Sequence, residues 1–355
     1  MNWSGNTMWP GSISSRSEPT AVTAMMCAQR RCAVAGALLC LGAILTAGAQ
    51  EPLPEGPAQI RDGVLLVDKE EGEPSFDVVR RAKKLLQVRK VGHAGTLDPF
   101  ATGLLLVLIG QGTKLSPYLM AGDKTYLGTL SLGTETDTLD RTGRVTSVKP
   151  VPDLDPERVR EKVKTFVGET EQTPPSFSAL KVQGQRAYTL ARKGLPVALE
   201  KRRVRIMEWT VLSVDLPEVT FRVVCSSGTY VRTLAADLGT ALGVGAHLKA
   251  LRRTAIGPHR VEDAVGSGAM GAEPATLKGR IIPLRQALPH VTEVEVDGTT
   301  ALHVRRGYRP AWEELGKKAP FPQEDVKLVN GGDLVALVRF EPGTKGGLRV
   351  SRVFV

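Results

Sequence analysis

The sequence predicts an α+β fold. Segments with strand-type alternation and segments with helical spacing are interleaved without the regular rhythm of a βαβ protein. The composition, 42% hydrophobic and 24% charged, supplies a globular core and excludes a disordered, collagen-like or coiled-coil chain. No internal repeat is visible in the 355 residues.

The first strand is read at Gly63-Val64-Leu65-Leu66-Val67, a short apolar run. A helix follows, with Ser75 as its cap and Phe76, Val79, Leu85 and Leu86 on one apolar face. Arg80, Arg81, Lys83, Lys84, Arg89 and Lys90 scatter over that helix and its exit as a solvated surface. A glycine-punctuated loop, GHAGTLDPFATG, then leads into the apolar strand LLLVLIG. Tyr126, Leu130 and Leu132 alternate in the strand TYLGTLSLG, and residues 219–225 alternate in another. Leu234, Leu238 and Leu242 recur at helical spacing, with Gly243 as the stop. A composition shift at GSGAMGAEPATLKG and the proline at 283 set a boundary near residue 288. The tail reads as short strands around a turn at Asn330-Gly331-Gly332-Asp333.

Lysine and arginine total 47 against 37 acidic residues, a net charge of +10 that favours polyanionic partners, nucleic acid before anionic membrane. Of four cysteines, Cys27, Cys32 and Cys40 lie near the N-terminus and only Cys225 lies in the body. The body can therefore form no internal disulfide, shows no metal-ligand spacing and suits a reducing compartment. The N-terminus points elsewhere: Arg30 and Arg31 precede the apolar run CAVAGALLCLGAILTAGA, a signal-like pattern. The reading favoured here is a start codon placed too far upstream, so residues 1–57 are set apart from the fold.

Asp98-Pro99 is the pair most informative about chemistry. An aspartate before a proline ordinarily starts a helix or turn. Here glycines at 92, 95 and 103 let backbone approach a ligand, and His93 stands just upstream. The run from Gly92 to Gly103 resembles the catalytic loop of the TruB family, the tRNA pseudouridine-55 synthases. The resemblance continues in order through Gly112-Thr113-Lys114, Asp123-Lys124-Thr125-Tyr126 and Thr136-Asp137-Thr138. It extends through residues 172–179 with Lys181, Gly184 and Tyr188, then Cys225 to Thr233, then Gly245-Ala246-His247 to Leu251-Arg252-Arg253. It spans roughly residues 62–260, and several ordered motifs exceed what one short pattern could give by chance.

This resemblance implies a pseudouridine synthase fold at residues 58–288, a mixed, largely antiparallel sheet with flanking helices and an RNA-binding insertion. Residues 289–355 would form a small β-rich, PUA-like RNA-binding module. Asp98 would be the catalytic carboxylate, which must stay ionised in a pocket that excludes water and so needs a cation beside it. Arg232 matches the arginine that pairs with it through two hydrogen bonds. Tyr126 would stack on the uracil and move a proton late in the reaction. Tyr230 would be a second pocket tyrosine and Leu251 an aliphatic wall. His93 would stabilise the rearranged RNA loop around the flipped base. Lys114, Lys181, Arg202, Arg203 and Arg205 would be candidates for phosphate contacts. Asp123 and Asp137 are read as loop supports, and residues 174–194 as an insertion that grips RNA.

The partner implied is the TΨC stem-loop of tRNA, with no cofactor, no metal, no membrane and no obligate protein partner. A cytoplasmic monomer is expected. The alternative from another class is a tRNA-binding or folding chaperone with secondary or lost catalysis. Two further readings, a guide-RNA-dependent synthase and a secreted protein, fit less of the chain. Two departures from the family pattern stand out. Lys69-Glu70-Glu71-Gly72 replaces a Lys-Pro-x-Gly run, placing acids near an RNA groove, and Phe177 stands where tyrosine is frequent.

Overall fold

A computed structural model of the chain describes residues 62–355, apart from 179, 183, 196–198, 272–273, 316–323, 342 and 344–346. The chain divides into two units between Gly56 and Pro57, and the described residues belong to the second. The signal-like segment lies outside them.

Ten strands form the central sheet. In chain order the elements begin with β1 (Gly63–Lys69), α1 (Ser75–Leu86), β2 (Val91–Ala94), β3 (Thr102–Ile109), α2 (Ser116–Ala121) and β4 (Lys124–Leu132). A small hairpin, β5 (Thr134–Thr136) with β6 (Val145–Val148), precedes α3 (Pro156–Lys164) and β7 (Gly168–Gln172). The insertion contributes the two-residue strands β8 (Lys181–Val182) and β9 (Gln185–Arg186) and the short α4 (Ala187–Arg192). Then come β10 (Arg202–Asp215), β11 (Glu218–Cys225), α5 (Val231–Ala241), β12 (Ala246–Ile256), β13 (His259–Arg260) and β14 (Val265–Gly266). The sheet runs β14-β1-β3-β12-β4-β11-β10-β7, with β2 on β3 and β13 on β12. All its pairs are antiparallel except β1 with β14 and β3 with β12.

Strand β3 reads as a nearly continuous apolar run because it is buried on both faces. It is also where the site is made. Its C-terminal half pairs with β2 (His93↔Val107), and its first residues pair with β12 (Gly103↔Arg253). The chain between Gly95 and Ala101 therefore leaves the sheet at the gap between β2 and β12. At Gly103 the backbone has φ +102°, and a β-carbon would sit 2.3 Å from the Arg253 carbonyl oxygen. Only glycine satisfies both conditions there.

Helix α1 departs from its sequence reading in two respects. The cap position is Pro74, and Ser75 lies inside the helix with its hydroxyl turned to the loop, donating to Leu97 O (3.0 Å) and accepting from Leu97 N (2.9 Å). The buried face is Val78, Val79, Ala82 and Leu86, while Phe76 is 67% exposed. Phe76 and Val79 share a helical face only at its margin, and the core lies under Val78 and Ala82.

Beyond α6 (Pro274–Gly279), a four-stranded sheet closes the chain: β15 (Thr292–Glu295), β16 (Asp325–Asn330), β17 (Asp333–Phe340) and β18 (Leu348–Val353), with α7 (Gly298–Arg305) between its first two strands. This sheet has its own apolar core around Trp312, Val326 and Val338. Leu334, Leu337 and Phe354 join a second cluster with Leu104, Leu106 and Leu119 of the body. The buried Lys327 fixes the connection, donating to Arg285 O and Leu288 O (both 2.9 Å) and pairing with Glu293 (2.8 Å).

The crossing of β3 and β12 generates a stability prediction. Gly103→Ala should cost about 3 kcal/mol, combining left-handed strain with a clash against backbone. Gly257→Ala, at φ +51° with open space around the β-carbon, should cost only about 1 kcal/mol. Urea denaturation of the two variants beside the parent checks the difference, and equal losses would contradict the crowding argument.

Candidate active site

The loop that leaves the sheet at Gly95 is held by other parts of the chain through its backbone. The Ser75 hydroxyl grips Leu97 on both sides of its peptide unit. Gly72 N donates to Pro99 O (2.7 Å), and Ala101 N closes a turn onto Asp98 O (3.1 Å). Lys69, fully buried, donates its ammonium to Glu70 O and Glu73 O (both 2.8 Å) and to Pro99 O (3.2 Å). Arg253 supplies a fourth hold from outside the loop, with Nε on Leu104 O (2.8 Å) and Nη2 on Gly95 O (3.0 Å). With four anchors from outside and its own turn closed, Asp98 projects from a fixed loop.

Its carboxylate meets Arg232, whose Nε lies 2.9 Å from Oδ2 and whose Nη2 lies 3.3 Å from Oδ1. This is the two-point geometry that a planar guanidinium provides. Arg232 is the second residue of α5, and its side chain is 5% exposed. Its remaining donors go to Thr138 O (2.9 Å) and Phe177 O (3.0 Å). Nη1 also lies 3.4 Å from Oδ2 of Asp140. Asp140 is equally buried and accepts from Thr138 Oγ1 (2.8 Å), Thr142 N (2.9 Å) and Thr142 Oγ1 (2.6 Å). One guanidinium thus lies between two carboxylates, one locked by threonines and the other with its side chain 38% exposed. Burial pushes the Asp98 pKa above the ordinary aspartate value, Arg232 pulls it back most strongly, and Asp140 adds to the rise.

Tyr230 caps α5, and Gln172 of β7 holds it there, donating to Tyr230 O (3.1 Å) and accepting from Tyr230 N (2.7 Å). Tyr126 is buried in the same apolar cluster as Leu97, Phe100 and Leu251. Leu251 stands opposite Gly128 of β4, with Tyr126 opposite Arg253 two residues further along β12. Burial raises the pKa of both tyrosines. His93 lies on β2, its Nδ1 buried without a hydrogen-bond partner and its pKa lowered by burial and then by Arg253. At neutral pH its ring is uncharged.

Lys114 is placed elsewhere. Its ammonium donates to Gln111 Oε1 (2.9 Å) and Val353 O (2.6 Å) and lies over the Phe354 ring, tying the last strand to the body. The two acids of the departing turn are also engaged. Glu70 accepts from Gly268 N (3.2 Å) while its own N–H donates to Ser267 Oγ (3.0 Å), and Glu71 pairs with Arg141. Lys69 and Gly72 keep hold of Pro99 without a proline between them. In the insertion, Phe177 meets Tyr188 edge-on at 6.1 Å, and Arg192 covers the Tyr188 ring at 4.7 Å.

Asp140, Gln172 and the anchoring roles of Lys69 and Arg253 escaped the sequence reading. The threonines flanking Asp140 at positions 138 and 142 were the one local signal. Asp137, its neighbour, accepts from Arg144 N (2.8 Å) and supports the loop.

Comparison with known proteins places this arrangement. The TruB family pseudouridylate synthase N-terminal domain matches residues 83–231, and the tRNA pseudouridylate synthase B C-terminal domain matches residues 232–288. A tRNA pseudouridine synthase B from Nitratidesulfovibrio vulgaris is 46% identical over 269 residues, covering 75% of this chain and 87% of that protein. The protein of the same name from Geobacter sulfurreducens is 42% identical over 303 residues, 82% of this chain and 99% of its own. Among solved structures, a chain of a Cbf5-Nop10-Gar1 complex superposes with a TM-score of 0.63 at 28% identity, covering 84% of this chain and 86% of that one. The two family domains follow one another across the residues that pair Asp98 with Arg232, and the chain belongs to the TruB family of pseudouridylate synthases.

Proposed function

We propose that the chain converts uridine to pseudouridine at position 55, in the TΨC loop of tRNA, with Asp98 as the nucleophile. The observation that carries this reading is the Asp98–Arg232 pair: a carboxylate backed on one side by a buried guanidinium and open on the other. Attack by Asp98 on the target nucleotide lets the base detach, turn and rejoin the sugar through carbon. Tyr126, Tyr230 and Leu251 would wall the pocket around the uracil, and His93, uncharged, would support the displaced RNA loop. Reaching a base in the folded arm requires extruding it from the stack. The net charge of +10 suits the phosphates of such a substrate.

In this reading residues 58–288 are the catalytic domain and 289–355 a PUA-like RNA-binding module. Lys114 serves the junction between them rather than a phosphate. The protein works as a cytoplasmic monomer without a guide RNA or protein partner. Among the described residues no helix is long and apolar enough to cross a membrane. The test is to incubate the purified protein with unmodified tRNA transcript and map pseudouridine chemically. A single modified uridine in the TΨC loop is expected, and tight binding without product would favour a folding chaperone instead.

Two predictions follow from the geometry of the pair. Asp98→Asn keeps the shape and removes the nucleophile, so single-turnover product formation should fall by at least about 10⁴-fold while tRNA affinity stays within about threefold. Loss of binding together with activity would make Asp98 structural. The second concerns pH. The reactive form is ionised, so the rate is full above the Asp98 pKa and declines as pH falls through it. Because burial raises that pKa, the acid limb should lie above the ordinary aspartate value of 3.8. Single-turnover rates from about pH 4 to about pH 8, with the fold checked by circular dichroism, measure it. A limb at or below the ordinary value would contradict the burial argument.

A further inference from the structure

Arg253 is 2% exposed, and among the described residues no carboxylate lies within ion-pair distance of it. Arg232, a short distance away in the same site, is neutralised by two aspartates. Among the described residues the hydrogen bonds of Arg253 end on carbonyl oxygens: Leu104 O at 2.8 Å, Gly95 O at 3.0 Å and Thr96 O at 3.5 Å. Burying a guanidinium against dipoles alone is costly, and a neutral donor could tie two strands and a loop together without that cost. The positive charge itself therefore needs a use.

The register supplies one. Arg253 of β12 is the direct cross-strand neighbour of Tyr126 of β4, so the two side chains leave the sheet on the same face, and both are buried there. Burial alone would hold the phenol firmly protonated, and Arg253 is the foremost group opposing that. The other titratable groups near it, Lys69, His93 and Lys124, are each pushed toward their neutral forms by the same charge. Of the four, only Tyr126 becomes anionic when it loses its proton, so it alone gains an attractive partner.

The proposed reaction creates a need for such a group. Once carbon C5 of the uracil has joined the sugar, it still carries its original hydrogen. Breaking that C–H bond returns its electron pair to the ring, the proton passes to a base, and a proton is taken up at N1, so the isomerisation is balanced. A tyrosine that gives its phenol proton to N1 becomes the phenolate that accepts the C5 proton, and it ends the step as a phenol.

We propose that Arg253 is a positioning residue with two tasks: its fork sets the loop from which Asp98 projects, and its charge stabilises the Tyr126 phenolate that removes the C5 proton. This inference rests on the pseudouridine synthase reading above. The carbonyl contacts serve the first task, and the absence of a neutralising acid among the described residues serves the second, because a carboxylate beside Arg253 would cancel the field at Tyr126.

The test uses the full chain, tRNA transcript carrying uridine or 5-deuterouridine, and the variants Arg253→Met and Arg253→Lys. Arg253→Met should bind tRNA within about threefold of the parent and lose about 100-fold in single-turnover rate. It should also show a primary isotope effect larger than the parent's, because C5 deprotonation has become the slow step. Arg253→Lys keeps the charge and loses the fork, so its rate should fall without a gain in isotope effect. A parent-like rate in Arg253→Met, or a loss with no gain in isotope effect, would overturn the second task and leave only a scaffold arginine.

Should Arg253→Met fail to fold, the unaltered arginine is read instead. The Arg253 Nε–H resonance should move between the parent and Tyr126→Phe, and an unmoved resonance would overturn the contact. A parent protein that forms no pseudouridine would refute the enzymatic reading separately, since the resonance test does not depend on turnover.

Discussion

In the proposed reading Asp98 must react as an anion while it sits in a largely desolvated pocket, and this imposes the central constraint on the structure. Desolvation alone would protonate Asp98. Arg232 opposes that, and a buried guanidinium in turn needs more than one half-exposed carboxylate to satisfy it. Asp140 supplies the second charge, and the carbonyls of Thr138 and Phe177 take remaining donors. The start of α5, the turn at residues 138–142 and the start of the insertion are consequently fixed around one side chain. Gln172 completes the arrangement by capping α5 through Tyr230, where no local side chain does so.

The loop bearing Asp98 obeys a second constraint, that its backbone polar groups be satisfied while it crosses a gap in the sheet. Ser75, Gly72, Lys69 and Arg253 meet it from three directions. Two of these are buried cations hydrogen-bonded to carbonyls, and they set the electrostatic character of the pocket. Burial lowers the Lys69 pKa to about 8. His93 is left uncharged, and the phenol of Tyr126 faces a positive neighbour. The acids in the Lys69-Glu70-Glu71-Gly72 turn do not disturb this, because Glu70 is bound to the segment at residues 267–268 and Glu71 is paired with Arg141.

Much of this was legible in the chain. The strands at Gly63–Lys69, Lys124–Leu132 and Glu218–Cys225 follow their apolar patterns, because one or both faces are buried and period and burial coincide. What the sequence left unread lies where a side chain serves a distant partner. Ser75 looks like a helix cap, and its hydroxyl instead spans 22 residues to Leu97. Lys114 looks like a phosphate contact and is bound 239 residues away at Val353. Asp137 and Asp140 differ in sequence only in their neighbours, and the orientation of one turn decides which of them reaches Arg232.

By itself the sequence determined the main strands and helices, the order of the motifs and the expectation that Asp98 pairs with Arg232. Periodicity and motif spacing are properties of neighbouring residues, and they survive without knowledge of the fold. Tertiary structure decided the charges. Asp98 and Arg232 are separated by 134 residues, and the field around them depends on which cations end up buried and what neutralises each. That is set by strand register and loop closure, which no local pattern encodes. Arg253 and Tyr126 become neighbours only because β12 pairs with β4 in one register rather than the next.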